Sequence, residues 1–401
     1  MKKFKLTNNT TVIHEKRKTD SVCIAVTIKS GSNCEDKKHL GIMHFIEHML
    51  FEGTKNRESN LEISNEIEKL GGEINAYTSD ERTVYYIKIL KRHFTKAVEI
   101  LADIIQNPLF NKKDIERERK IIMDEIRLSE DEPRFYQWIL LEKSLFKKHP
   151  VRNATYGTFA TVKSISKKSL LDYYDKHYIP NNMILTVVGD IKSPKQILEK
   201  HFTKKDNKFI KKQTFTEPKK SKITGCEEKR EISNSYLILG YKTIPRNHKD
   251  SYVLDVIRAH LGRGQSGKMY YEIRTKQGLG YDVGVHHSPG LDYGFFAVYL
   301  STEDKNINKC KKIVINQLDQ LASLSEIDLK NAIDYIEGSF YLQNEDTFQH
   351  ADALSFWEMI NNAKLANAYI KKIKCITMGD IKKAAKKYFS QPYAYVIISP
   401  K

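Results

Sequence analysis

Residues 41–54 read GIMHFIEHMLFEGT, and the interpretation of the whole chain starts from this stretch. Its apolar residues and the absence of a breaker between Gly41 and Gly53 predict a helix. Helical spacing places His44 and His48 one turn apart on the same face, with Glu47 beside them. Two neutral imidazoles at this spacing form a zinc chelate, and an adjacent carboxylate that is not a ligand can accept a proton from water. A partly buried helix with internally hydrogen-bonded histidines is the alternative.

A catalytic zinc ion takes a third protein ligand and keeps one position open. The segment IERERKIIMDEIRLSEDEP, residues 115–133, predicts a helix, and Glu118 and Glu125 lie two turns apart along one stripe of it. One of these carboxylates can reach the metal while the other supports the ligands. For any single glutamate on so charged a helix, simple solvation is the alternative.

Composition narrows the class of protein. The 401 residues predict two or three domains, and 40% hydrophobic content supports a folded core despite a formal net charge of +17. No run of about 18 apolar residues suggests a membrane span, and the basic start lacks the apolar stretch of a signal peptide. We therefore expect neither a membrane protein nor a secreted one.

The cysteines and lysines exclude further classes. The five cysteines are scattered and never spaced as CxxC, which indicates neither a disulfide framework nor a cysteine-ligated zinc site and favours the cytoplasm. The lysines are spread along the chain beside glutamates rather than gathered in one recognition helix, which argues against a nucleic-acid partner.

Strand and helix patterns alternate along the chain. Apolar residues alternate from Val22 to Ile28 and again from Tyr77 to Leu90, and a helical pattern follows from Phe94 to Ile105. The segments 164–188 and 375–398 repeat one plan, a helix pattern before a strand. We therefore expect an α+β fold of two related domains, 1–210 and 223–401, each a largely antiparallel sheet packed with helices. The lysine-rich segment 203–222 is expected to be a solvated linker.

The order of motifs in the first half resembles the pitrilysin family of inverted-motif zinc peptidases. The match extends over nearly the whole chain. Besides HFIEH and Glu125 it includes Gly31-Ser32, Phe51-Glu52-Gly53-Thr54, GGEINAYT at 71–78, Tyr85-Tyr86, His149-Pro150, Gly157-Thr158, YIPNNM at 178–183 and Val188-Gly189-Asp190. Met43 and Arg152 depart from residues common in the family, but neither is at a ligand position.

The resemblance implies a role for each matching residue. It implies His44, His48 and Glu125 as zinc ligands, Glu47 as the general base and Glu118 as a carboxylate that supports the ligands. It also implies that the strand after the double glycine, at Asn75, Ala76 and Tyr77, binds the peptide backbone as an added β-strand. Ordinary turn chemistry after the glycines is the alternative for Asn75.

The second half has no HxxEH motif, yet YYEIRTKQGLGYDVG resembles the family segment whose Arg and Tyr reach the substrate. The resemblance implies that Arg274 and Tyr281 contact the peptide and stabilise the developing oxyanion, for which a guanidinium and a phenol are suitable donors. A helix-surface arginine and a core-strand tyrosine are the alternative.

Taken together, the resemblance implies a zinc metalloendopeptidase that cleaves unfolded peptides in a closed chamber built by two chains. A homodimer is the simplest expectation. One alternative is a dedicated processing peptidase that works as a heterodimer with a noncatalytic partner subunit. Another, of a different class, is a noncatalytic scaffold subunit, although such members of the family have lost the zinc motif and this chain has kept it.

Overall fold

The structure, a computed structural model, describes residues 1–206, 208–210 and 215–401. The chain forms two compact units. The first unit comprises Met1–Arg127, Asn153–Gln213 and Leu342–Ala366, and the second unit comprises Leu128–Arg152, Thr214–Tyr341 and Asn367–Lys401. These units differ from the consecutive ranges 1–210 and 223–401, because each unit takes in a segment from the other half of the chain.

The first half of the chain alternates strands and helices. In order these are β1 (Lys2–Lys5), β2 (Thr11–Glu15), β3 (Ser21–Ile28), α1 (Ile42–Phe51), α2 (Asn60–Glu68), β4 (Glu73–Thr78), β5 (Thr83–Leu90), α3 (Phe94–Gln106), α4 (Lys112–Asp131), α5 (Pro133–Leu145), α6 (Phe159–Ser164), α7 (Lys167–His177), β6 (Met183–Val188) and α8 (Pro194–His201).

The second half follows the expected basic linker, in which Lys211 and Lys212 lie outside the described residues. Its elements are β7 (Thr224–Arg230), β8 (Ser235–Lys242), α9 (Asp250–Gly262), α10 (Lys268–Tyr270) with a π-helical turn (Tyr271–Thr275), β9 (Gly280–Pro289), β10 (Gly294–Thr302), α11 (Ile307–Asp319), α12 (Glu326–Gln343), α13 (Thr347–Ile360), α14 (Lys364–Lys374), α15 (Met378–Phe389) and β11 (Ala394–Pro400).

The first unit contains a sheet with the strand order β1-β2-β6-β3-β5-β4. Strands β2 and β6 are parallel, and the other neighbours are antiparallel. The alternating segment expected from Tyr77 to Leu90 lies in the β4–β5 hairpin, whose turn is closed by the Ser79 amide donating to the Arg82 carbonyl at 2.8 Å. This hairpin places β4 at the edge of the sheet.

Both faces of this sheet are covered. Alternate residues of β3, such as Ile24 and Val26, join the core formed with α1, α3 and α7. The intervening residues, such as Cys23 and Ala25, are also fully buried, and helix α13 from the second half packs on their strand and on β6. Since every second strand side chain points to the opposite face, this sheet needs α13 as its second cover.

The second unit repeats the plan. Its strand order is β7-β11-β8-β10-β9, with β7 and β11 parallel and the other neighbours antiparallel. If β2 to β6 are matched in order to β7 to β11, the two sheets have the same arrangement. Helix α5 from the first half covers this sheet, with Leu141 and Leu145 packed in one core with Ile238 and Val396. The expected α+β class with two related halves is confirmed, and the halves exchange helices α5 and α13.

Candidate metal centre

The helix that carries the HxxEH motif starts after a glycine in the left-handed conformation. Gly41 has a φ of 90°, and a Cβ atom there would lie 2.4 Å from the Tyr156 carbonyl oxygen. The buried Glu35 carboxylate accepts hydrogen bonds from the Gly41 and Met43 amides at 2.7 and 2.9 Å, which satisfies two of the N–H groups at this end of α1. Sequence reasoning missed Glu35, because an acidic residue seven positions ahead of the first helical residue has no standard capping spacing.

Most of the apolar residues of α1 are buried, and its polar residues lie together on the other side of the helix. Six of its ten residues are buried in the core: Ile42, Met43, Phe45, Ile46, Met49 and Leu50. His44, Glu47 and His48 occupy the remaining side of the helix and are only partly buried. The spacing seen in the sequence therefore places both imidazoles and the carboxylate on one partly buried stripe.

Helix α4 supplies the two predicted glutamates. Ile115, Ile122 and Ile126 are buried along one side of this helix, and Glu118 is buried with them. Glu125, one position before Ile126, keeps 39% of its side chain exposed while that of Glu118 keeps 6%. The packing of this isoleucine stripe brings both carboxylates to α1.

The ligand atoms of His44, His48 and Glu125 all lie within 4.8 Å of one another. Glu125 Oε2 is 3.8 Å from His44 Nε2 and 3.6 Å from His48 Nε2. Bonds of about 2.05 Å at tetrahedral angles would require ligand atoms about 3.3 Å apart. Two imidazoles and one carboxylate are a common donor set for catalytic zinc. These three residues therefore fit a zinc ion with only small shifts of their side chains.

The surroundings of the two histidines differ. Burial, with a smaller contribution from nearby His48, lowers the pKa of His44 to about 3, so His44 is neutral and has a lone pair for a metal. Burial would also lower the pKa of His48. The hydrogen bond to Glu118 and the charges of Glu125 and Glu47 outweigh burial and raise it.

Glu47 lies beside the cluster without belonging to it. Its carboxylate accepts a short hydrogen bond from the Thr78 hydroxyl at the end of β4. Burial raises the pKa of Glu47 above its ordinary value, although the Thr78 bond opposes the increase. Sequence analysis assigned no role to Thr78, since the strand pattern shows only that its side chain and that of Tyr77 point to opposite faces of the sheet.

Strand β4 contains the three residues predicted to bind substrate. Among the described residues, β4 pairs with β5 alone, so its other edge has N–H and C=O groups that pair with no strand. The side chain of Asn75 accepts from the Ala76 amide at 2.8 Å. Ala76 packs against the core, whereas the Tyr77 hydroxyl donates to Asp352 of α13 at 2.6 Å. The structure thus combines this strand and the cluster of His44, His48 and Glu125 in one unit.

Arg274 and Tyr281 are brought together within the second unit. Arg274 lies in the π-helical turn and donates to the Tyr281 carbonyl at 2.9 Å. Its guanidinium carbon is 4.3 Å from the centroid of the Tyr281 ring, and that tyrosine is 71% exposed. Single π-helical turns are frequent at functional sites, and the pair presents a guanidinium and a phenol to solvent.

Two family models match the chain. The model described as insulinase (peptidase family M16) matches residues 10–159, and the one described as the peptidase M16 inactive domain matches residues 164–335. These matches confirm the resemblance inferred from the sequence. The candidate ligands His44, His48 and Glu125 lie in the first matched segment, and Arg274 and Tyr281 lie in the second.

Similar proteins span the same length. An uncharacterized zinc protease of Rickettsia felis is 30% identical over 404 residues, covering 99% of this chain and 97% of that protein. The uncharacterized zinc protease YmxG of Bacillus subtilis is 28% identical over 405 residues, covering 100% and 98%.

Solved structures show the same fold. The crystal structure of a protease from Helicobacter pylori has a TM-score of 0.94 at 24% identity, covering 100% of this chain and 99% of that one. The structure titled peptidase M16 inactive domain from Pseudomonas fluorescens has a TM-score of 0.88 at 19% identity, covering 100% and 98%. None of the helices in the described part of the chain combines the length and apolar composition that a bilayer span requires.

Proposed function

The chain belongs to the insulinase family of peptidases, peptidase family M16, and on that premise we propose that it is a zinc-dependent endopeptidase. The observation that carries the proposal is the cluster of His44, His48 and Glu125, with Glu47 beside it and the free edge of β4 in the same unit. A fold alone would not support an activity, but a donor set with an adjacent proton acceptor and a peptide-binding edge does.

Each residue of the cluster has a role in the proposal. His44 and His48, through Nε2, and Glu125, through a carboxylate oxygen, would hold the zinc ion. When bound, zinc acts as a Lewis acid that lowers the pKa of water and polarises the peptide carbonyl. Glu118 favours the His48 tautomer with a proton on Nδ1, which would leave Nε2 available to the metal.

Glu47 is the proton acceptor in this mechanism. The Thr78 hydroxyl donates to one of its carboxylate oxygens. The other oxygen accepts no hydrogen bond from the described residues, and it takes the proton of the attacking water. Because burial raises the pKa of Glu47, its affinity for that proton is greater than that of an exposed glutamate. The same group then gives the proton to the amine that leaves.

The substrates we propose are unfolded peptides. The free edge of β4, at Asn75, Ala76 and Tyr77, offers backbone groups to an extended peptide, which would add to the sheet as one more strand. A folded protein seldom releases a strand in this way. Arg274 and Tyr281 would donate to the peptide and to the oxygen on which negative charge develops.

The chain's assembly and location are also proposals. We propose a homodimer that encloses a chamber for peptides, in the cytoplasm, because one chain carries both the zinc motif and the Arg–Tyr segment and its cysteines indicate no disulfide framework. A processing heterodimer is the competing assembly. If size measurements show a monomer whose activity requires an added noncatalytic subunit, the homodimer is wrong.

A metal assay tests the proposed function. The purified full chain should contain about one zinc ion, cleave an unfolded peptide, lose that activity with a chelator and regain it with zinc. His44→Ala should lose both zinc and activity. His39→Ala is the matched control. His39 lies just before the same helix, and its only ion pair among the described residues is with Asp36. Full activity in metal-free protein would overturn the proposal.

A further inference from the structure

Helix α13 holds the first unit's sheet at both of its edges. Glu358 forms an ion pair with Lys3 of β1, at one edge. Near the other edge, Asp352 contacts β4 and the turn that follows it. Both acidic residues come from the second half of the chain, more than 250 positions after β4. The proposed peptide-binding strand is therefore held by a segment far from it in sequence.

The Asp352 carboxylate makes two well-formed bonds. One oxygen accepts from the Tyr77 hydroxyl at 2.6 Å, and the other accepts from Arg82 Nη2 at 2.8 Å. The side chains of Asp352 and Arg82 are 22% and 13% exposed, so solvent screens the ion pair only in part. Tyr77 is in β4 itself and Arg82 is in the β4–β5 turn, which means that Asp352 holds the strand and its turn together.

The β4–β5 turn also packs closely against Gly31. A Cβ atom at Gly31 would lie 2.1 Å from the Ser79 carbonyl oxygen and 2.5 Å from the Arg82 amide nitrogen. The Arg82 guanidinium also lies over the Phe356 ring of α13, 5.1 Å from its centroid. Between Gly31 and α13 the turn has little freedom to move, and Asp352 is its polar anchor.

An edge strand has a neighbour on one side only, so its position depends on contacts outside the ladder. Every degree of freedom that β4 loses when a peptide binds weakens the affinity for that peptide. A peptide therefore binds more tightly when the N–H and C=O groups of β4 are already in strand geometry. From this we propose that Asp352 is a positioning residue that preorganises β4 for the peptide backbone. The inference rests on the proposed function, and it extends the substrate site to the second half of the chain.

The test compares peptide binding and turnover in the zinc-loaded full chain. Asp352→Ala should raise KM for an unfolded peptide by about tenfold and leave kcat within twofold, because a hydrogen bond to a charged group is lost from the peptide site and not from the metal site. In the inactive Glu47→Gln background, the same substitution should raise the Kd of the labelled peptide, measured by fluorescence anisotropy, by a similar factor. Zinc content should not change.

A second variant covers the case in which Asp352→Ala fails to fold. Tyr77→Phe keeps the ring and the strand backbone but loses the hydroxyl, and it should raise KM less than Asp352→Ala, since Arg82 remains paired. The double variant should match Asp352→Ala alone. Lys3→Met is the control, because it removes an α13 ion pair at the opposite edge of the sheet, and its KM should equal that of the wild type.

The outcomes separate this inference from the proposed function. If the wild type shows zinc-dependent cleavage, an unchanged KM and Kd in Asp352→Ala overturns the inference alone. If Asp352→Ala does not fold, an unchanged KM and Kd in Tyr77→Phe overturns it. An equal rise of KM in Lys3→Met overturns it as well, because the effect would then be general loosening of α13. A wild type without zinc-dependent cleavage overturns the proposed function, and the inference with it.

Discussion

His48 Nδ1 lies 3.1 Å from Glu118 Oε2, so the buried carboxylate of α4 fixes the orientation of an imidazole on α1. A proton on Nδ1 leaves the Nε2 lone pair directed toward Glu125, 3.6 Å away. Sequence spacing alone could not tell which of the two glutamates on α4 supports a histidine and which joins the cluster. The helix packing assigns Glu118 to the first role and Glu125 to the second.

Glu118→Ala should weaken zinc affinity by roughly 10- to 100-fold without abolishing activity, because His48 loses the partner that sets its tautomer. Titration against a competing chelator dye measures this. Glu116→Ala is the control on the same helix, where Glu116 pairs with Arg119 at the surface. Zinc affinity within twofold of wild type in Glu118→Ala would assign Glu118 a packing role only.

Glu47→Gln should keep the zinc ion and lose nearly all turnover, since only the proton acceptor changes while the shape of the side chain is retained. Metal analysis and peptide cleavage on the same sample check both statements. Cleavage by this variant at near wild-type rate would mean that Glu47 is not the base.

Thr78→Val should lower kcat by about tenfold with KM and zinc content unchanged, because valine keeps the shape of threonine but cannot donate to the Glu47 carboxylate. Thr78→Ser restores a hydroxyl and should recover most of the activity. If serine and valine give the same kcat, the methyl packing at this position matters and the hydroxyl does not.

Tyr281→Phe should lower turnover by about 10²-fold, the usual effect of losing one donor to an oxyanion, with zinc content and unfolding temperature near wild type. The phenol is 71% exposed, so its removal should cost little stability. Arg274→Ala should act mainly on KM. Wild-type turnover in Tyr281→Phe would exclude the catalytic role.

Mixing two inactive variants tests the proposed assembly. Glu47→Gln protein has an intact Tyr281, and Tyr281→Phe protein has an intact Glu47. Activity recovered after subunit exchange would place Tyr281 of one chain at the zinc of another. No recovery despite confirmed exchange would favour a site completed within one chain.

Asp255→Asn should destabilise the second unit by roughly 3–5 kcal/mol at neutral pH, because Arg246 would lose its buried counter-charge. The Asp255 carboxylate accepts from Arg246, His287 and Tyr369 at 2.6, 2.8 and 2.9 Å. Burial alone would raise the pKa of Asp255, but the Arg246 charge and the His287 hydrogen bond hold it well below its ordinary value.

The sign of the pH dependence follows from that lowered pKa. The stabilisation is fully present above about pH 4, the unfolded value, and is lost as the pH falls toward the folded value. Urea unfolding should therefore show the gap between wild type and Asp255→Asn narrowing below about pH 4. Asp334→Asn, at an exposed pair with Lys330, should change stability by less than about 0.5 kcal/mol at any pH. A gap that stays constant down to pH 2 would contradict the assignment.

Several features of the fold and site were predictable because they are local. The spacing of His44 and His48 on α1 follows from the helical period, and the strand Val22–Ile28 from its alternation, seen here as β3. The related plan of the two halves was visible in repeated helix and strand patterns. The prediction of Glu125 as a ligand depended on the resemblance to the family's motif, since nothing in the charged helix distinguishes Glu125 from its neighbours.

Other features were not predictable, because they join residues far apart in the chain. Glu35 at the start of α1, Thr78 at Glu47 and Asp352 at Tyr77 are polar residues of ordinary sequence surroundings. A polar side chain carries no periodic signal for its partner, and its role appears only when the packing of apolar faces has placed the two together.

The sequence by itself determined the helix with its two imidazoles, the alternating strands and the repetition of one plan, since these depend on backbone hydrogen bonds and side-chain periods within a few residues. Only the tertiary structure decided that the two halves of the chain exchange α5 and α13. A sheet buried on both faces needs a second cover, and each sheet here takes a helix from the other half of the chain. Which helix covers which sheet depends on side-chain packing between residues far apart in the chain. The packing of α13 on the first sheet brings Asp352 to β4.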